Sequence, residues 1–167
     1  KGKVLRGIGN GLLGLGLLFL GIHYMKLGFE TFSQAIDLSQ LAMEGALGLV
    51  VYGLVGMLAT VVLQSSHASM LLIITALSVG QVTYENALAL AIGANLGTTV
   101  TAVLGSLGAS IDGKRLALAH FLFNGVTGAL AIAVLPELSW AVDNIAQWWG
   151  IQEDSYTLKL AIFHTLF

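Results

Sequence analysis

Between residues 45 and 84 the chain carries no Asp, Glu, Lys or Arg, yet Gln64, Ser65, Ser66, His67 and Ser69 stand together in the middle of that run. A second polar group, Asn95, Thr98, Thr99 and Thr101, lies in another charge-free stretch, residues 86–111, between and after Gly93 and Gly97. Hydroxyls, amides, an imidazole and backbone N–H groups are neutral donors and acceptors. Such a set is suited to gripping an anion by hydrogen bonds or a hard cation by oxygen atoms, rather than to making and breaking bonds. Ser66 beside His67 is not a nucleophile and base pair, because adjacent residues on a helix point about 100° apart. The spacing of an intramembrane serine hydrolase is also absent. With no cysteine in the sequence, thiolate metal sites and disulfides are excluded.

The elements that must position these groups follow from composition. Hydrophobic residues make up 56% of the 167 and charged ones only 10%, too few to coat a soluble domain. The charge-free runs 45–84, 86–111 and 116–136 are long enough for helices embedded in lipid, which need about 20 apolar residues. A net charge of −2 gives no footprint for nucleic acid. The expected fold class is therefore all-α, a polytopic membrane protein forming one membrane domain over residues 1–167.

Residues 8–25 follow Lys1, Lys3 and Arg6 without a small-x-small cleavage pattern, and Gly7, Gly11, Gly14 and Gly21 recur along one helical face. This predicts a retained span whose glycine face packs on another membrane helix. Residues 26–44, with Glu30, Asp37 and Glu44, predict an amphipathic segment at the interface. Run 45–84 is too long for one span, and its polar knot predicts a re-entrant helical hairpin over 46–79 with unequal arms. Backbone that leaves a helix inside lipid must face protein or a watery cavity, so the knot should face a site. In 86–107, two glycines around Asn95 predict a discontinuous transmembrane helix, whose freed carbonyls and half-helix N-terminus would serve a cation and an anion. A further span is expected over 116–135. Trp140, Trp148 and Trp149 then suit the membrane interface, and five of the seven basic residues fall on one side. On the residues alone, the polar knots also fit helix capping, the glycines a mere kink, and His120 and Asn124 hydrogen bonds between helices.

The order and spacing of Leu63-Gln64-Ser65-Ser66-His67-Ala68, Gly93-Ala94-Asn95-Leu96-Gly97-Thr98-Thr99-Val100-Thr101 and His120-Phe121-Leu122-Phe123-Asn124 resemble the signature of the type II sodium/phosphate cotransporter family. The resemblance implies a secondary active transporter coupling sodium to inorganic phosphate, with no enzymatic activity and no cofactor beyond sodium as the coupling ion. It implies two inverted repeats, of which this chain is the first, with residues 157–167 opening the second. The segment Phe163-His164-Thr165-Leu166-Phe167 echoes the stretch from His120. A truncated chain is expected on that ground, with a homodimer or other homo-oligomer of half-length subunits as the alternative. The implied partners are phosphate, sodium, the lipid bilayer and the second repeat, with the bacterial inner (plasma) membrane as the expected location.

Carried onto this sequence, the resemblance assigns phosphate binding to Ser65, Ser66 and His67, and sodium binding to Gln64, Asn95, Thr98 and Thr99. His67 stands where the family has a hydroxyl, so an imidazole able to donate or to carry a proton replaces one ligand. No arginine lies in an apolar run, which leaves hydroxyls, dipoles and bound sodium to balance the anion. A sodium-independent exporter or channel on the same fold is the alternative function.

Overall fold

The computed structural model describes residues 2–35 and 45–167, and every regular element among them is helical. Helix α1 is Gly2–Ala35, α2 Gly45–Leu63, α3 Ser66–Ser78, α4 Tyr84–Gly105, α5 Ile111–Ala133, α6 Leu135–Trp148 and α7 Tyr156–Leu166, with a 3-10 turn at Ser106–Gly108. Four of these, α1, α2, α4 and α5, are long and apolar enough to cross a membrane. Helix α3, with 13 residues, rises only about 20 Å and falls short of a bilayer core.

Helix α4 is the axis of the molecule. Its sequence is rich in Ala and Gly on all sides, so neighbours can close on every face. Ala87, Leu88, Ala89, Ala91, Ile92 and Ala94 are buried, and α2, α3, α5 and α7 pack around them. Contact with α2 is backbone to backbone. A Cβ on Gly93 would strike the Gly53 carbonyl, one on Gly56 the Leu90 carbonyl, and one on Gly97 would lie 2.6 Å from Thr60 Cβ. Gly53 meets α4 near Ala89 and Gly93, and Thr60 meets it at Gly97, so α2 and α4 run in the same direction. Helix α3 returns alongside this pair and packs on both.

These contacts overturn the expected interruption of residues 86–107. Helix α4 runs unbroken from Tyr84 to Gly105. Gly93 and Gly97 serve close approach to α2 instead, and the hydroxyls of Thr98 and Thr99 bond the carbonyls of Asn95 and Leu96, at 2.6 and 2.7 Å, within the helix.

The span expected at 8–25 is part of a longer helix that continues into the segment assigned to the interface; residues 36–44 of that segment lie outside the described residues. None of the α1 glycines has an atom within 4 Å of a would-be Cβ, so their face meets no partner among the described residues. Large apolar side chains such as Leu12 and Phe19 on α1, Val62 on α2 and Phe123 on α5 point outward, as lipid-facing surfaces do. Asn124 donates to the His120 carbonyl of its own helix, at 3.0 Å, rather than across to a neighbour. Helix α6 buries Leu135, Val142 and Ala146 and turns Trp140 outward, and Trp148 and Trp149 are exposed at its end, an arrangement fitting the membrane interface.

Candidate functional site

Two residues make the turn between α2 and α3. Gln64 takes a left-handed backbone, φ +53°, the only non-glycine residue to do so among those described. Ser65 follows in an extended conformation and caps α3, its Oγ accepting the Ala68 N–H at 3.2 Å. A polar residue in the left-handed position ends α2 at once, and a serine cap starts α3 at once, so the reversal needs no longer loop. The backbone N–H of Ser69 bonds the Ser65 carbonyl at 3.0 Å. That leaves the N–H groups of Ser66 and His67 unspent, aimed out of the first turn of α3 where the helix dipole is positive.

Below the turn a buried hydroxyl chain joins the two arms. Thr60 donates to Ser69 Oγ at 2.8 Å, and Ser69 Oγ donates to the Ser65 carbonyl at 3.1 Å. Thr60 and Ser69 are fully buried, and the Thr60 methyl and Cβ abut Gly97 of α4. One side chain therefore holds α2, α3 and α4 in register, and it brings the polar turn alongside the part of α4 that carries Asn95 to Thr101. Ser65 and Ser66 are half-buried, while Gln64 and His67 are exposed with side chains free of hydrogen bonds. On α4, Asn95 and Thr98 are half-buried and share a face, whereas Thr99 is fully buried in the packing. Any cation held by this group would meet side-chain oxygens of an intact helix, not freed backbone carbonyls.

Thr60 is not among the residues expected from the sequence to serve the site, although a lone threonine four residues before the polar knot in an otherwise apolar run is a usable signal. A second group of polar side chains lies apart from the turn. Lys159 on α7 is buried and pairs with Asp143 of α6 at 2.8 Å, its ammonium 5.6 Å from the Tyr156 ring centre, and Tyr156 in turn packs on Tyr84 at 5.2 Å. These residues line a cavity of about 610 Å³ at the end of α4 remote from Thr98. Among the described residues no cluster of His, Cys, Asp and Glu is arranged to hold a metal ion.

Four bilayer-length helices, with large apolar side chains facing outward on α1, α2 and α5, define an integral membrane protein. Residues 39–141 match the Na+/Pi-cotransporter family model, and the chain belongs to that family. No curated protein and no solved structure matches the chain. The family is one of transporters rather than enzymes, and phosphate and sodium are the substrates it implies.

Proposed function

We propose that this chain supplies one half of a sodium-driven phosphate carrier, with α2 and α3 forming a re-entrant hairpin whose tip binds the anion. The supporting observation is the first turn of α3, where two backbone N–H groups are unspent and three side chains, Ser65, Ser66 and His67, stand around them. A helix N-terminus with free donors is a ready anion site, and neutral donors suit an ion that must also be released. Phosphate oxygens would take the Ser66 and His67 N–H groups and the Ser65 and Ser66 hydroxyls.

Sodium would sit on the α4 side of the tip, coordinated by oxygen atoms of Gln64, Asn95, Thr98 and Thr99, with Thr99 contributing only if the packing around it opens. Placing a cation beside the anion in a site without arginine makes each ion favour the other's binding, which is the physical content of coupling. The shortness of α3 and the common direction of α2 and α4 support a hairpin that returns to its own side of the bilayer. A second, inverted repeat would complete the site. The test is radiolabelled phosphate uptake into proteoliposomes with and without an inward sodium gradient. Uptake stimulated by sodium is expected; flux indifferent to sodium would replace this reading with an exporter or channel.

A further inference from the structure

Helix α7 buries Leu160 and Phe163, and its helical period puts His164 and Phe167 on the same stripe. Phe163 and Phe167 stack at 6.1 Å, which fixes the turn that carries His164. The imidazole is half-buried, and its Nδ1 is sealed from solvent with no hydrogen-bond partner. A buried polar atom in that state is costly unless something else engages it. Helix α7 packs on α3, and His164 lies within electrostatic reach of His67, whose own side chain is exposed and uncommitted beside the hairpin tip.

The sequence around His164 is also a copy. Arg115-Leu116-Ala117-Leu118-Ala119-His120-Phe121-Leu122-Phe123 aligns with Lys159-Leu160-Ala161-Ile162-Phe163-His164-Thr165-Leu166-Phe167, keeping the basic residue, Leu-Ala, the histidine and the closing Leu and Phe in step. Helices α5 and α7 are thus related, yet their histidines differ in surroundings. His120 is exposed on α5, whereas His164 is half-buried on a helix that packs against α3.

We propose that His164 is a ligand of the anion site, an imidazole delivered by α7 to the hairpin tip so that it and His67 close on the phosphate from two helices. This rests on the assignment of phosphate to that tip. An imidazole N–H is a directional donor to a phosphate oxygen, and two of them from separate elements add shape selectivity that serine hydroxyls on one helix do not provide. The segment that repeats α5 would in this way contribute to the tip formed by α2 and α3, tying movement of α7 to occupancy of the site.

The experiment is phosphate uptake by His164→Leu and His164→Gln proteins in proteoliposomes, with KM and maximal rate measured separately. Loss of a ligand predicts a KM for phosphate raised at least about tenfold in His164→Leu with little change in maximal rate, and partial rescue by the amide donor of His164→Gln. A KM unchanged in His164→Leu overturns the proposal while leaving phosphate transport intact; absence of sodium-driven uptake in the unmutated protein would instead refute the function itself. Should His164→Leu fail to fold, the cysteine-free sequence permits a second test. His67→Cys with His164→Cys should be bridged by a short bifunctional maleimide, and phosphate with sodium should slow the reaction. Absence of a cross-link in folded protein, or a rate indifferent to phosphate, contradicts the arrangement.

Discussion

Thr60 on α2 donates to Ser69 on α3 across 2.8 Å, and both side chains are shut off from solvent. This hydroxyl pair fixes how the hairpin arms meet immediately below the tip. Ser69→Ala leaves the Thr60 hydroxyl without its acceptor in an apolar setting and should cost about 1–2 kcal/mol. Thr60→Val removes the donor but keeps the shape that fills the space against Gly97, and should cost less, about 0.6 kcal/mol, near the mean for such bonds between membrane helices. Reversible unfolding in mixed detergent micelles, followed by helical circular dichroism, measures both. Equal costs would mean that Thr60 turns its hydroxyl back onto its own helix when Ser69 is lost.

Gly93 and Gly14 make a matched pair of glycine tests. Ala at Gly93 would drive a methyl into the Gly53 carbonyl and push α2 off α4, destabilising by about 2–3 kcal/mol. At Gly14 no atom lies within 4 Å, so Ala there should be neutral or should stabilise α1 slightly through its better helix propensity, by up to about 1 kcal/mol. The same micelle titration decides. A large loss from Gly14→Ala would reveal a partner for the α1 face beyond the described residues.

Those glycines also mark the boundary of what the sequence could tell. The charge-free runs located helices α2, α4 and α5, and the knot from Gln64 to Ser69 located the turn between α2 and α3 to within a residue or two, because polar groups in an apolar run have few structural explanations. Glycines around Asn95 have two. They allow a break in the helix, or they allow another backbone to come close, and the choice lies with Gly53 and Gly56 on a helix distant in sequence. The candidate anion residues were legible as a local motif. By contrast, the partnership of Thr60 with Ser69 and Gly97, and that of Lys159 with Asp143, depend on contacts between elements that no local spacing encodes.

Lys159 tests the link between α6 and α7. Its side chain is 9% exposed and that of Asp143 is 48% exposed. Asp143→Asn strands a buried ammonium and should cost about 3 kcal/mol, the lower end of the range for broken buried pairs because water reaches the carboxylate side. Lys159→Met removes the charge together with its need for a partner, leaves Asp143 to solvent, and should cost less than about 1 kcal/mol. Thermal unfolding in detergent should therefore rank Asp143→Asn well below Lys159→Met, and the reverse order would show that the ammonium is hydrated.

Gln64 combines a strained backbone with a proposed sodium ligand, and Gly separates the two. Glycine accepts φ +53° freely, so Gln64→Gly should leave stability unchanged or raise it by up to about 1 kcal/mol. Loss of the amide oxygen should raise the sodium concentration for half-maximal phosphate uptake by at least about fivefold. An unchanged sodium dependence would reduce Gln64 to a turn-former.

The central claim is that the hairpin tip holds the anion, and the most direct test is sodium-gradient-driven uptake of radiolabelled phosphate by a Ser65→Ala, Ser66→Ala protein beside a Ser106→Ala control. The Ser106 hydroxyl bonds the Val103 carbonyl of its own turn, so its removal should leave uptake near that of the unmutated protein. The account predicts that the double variant, folded and inserted, loses at least about tenfold in phosphate affinity. Phosphate uptake at normal affinity in that variant would contradict it and move the site away from the tip.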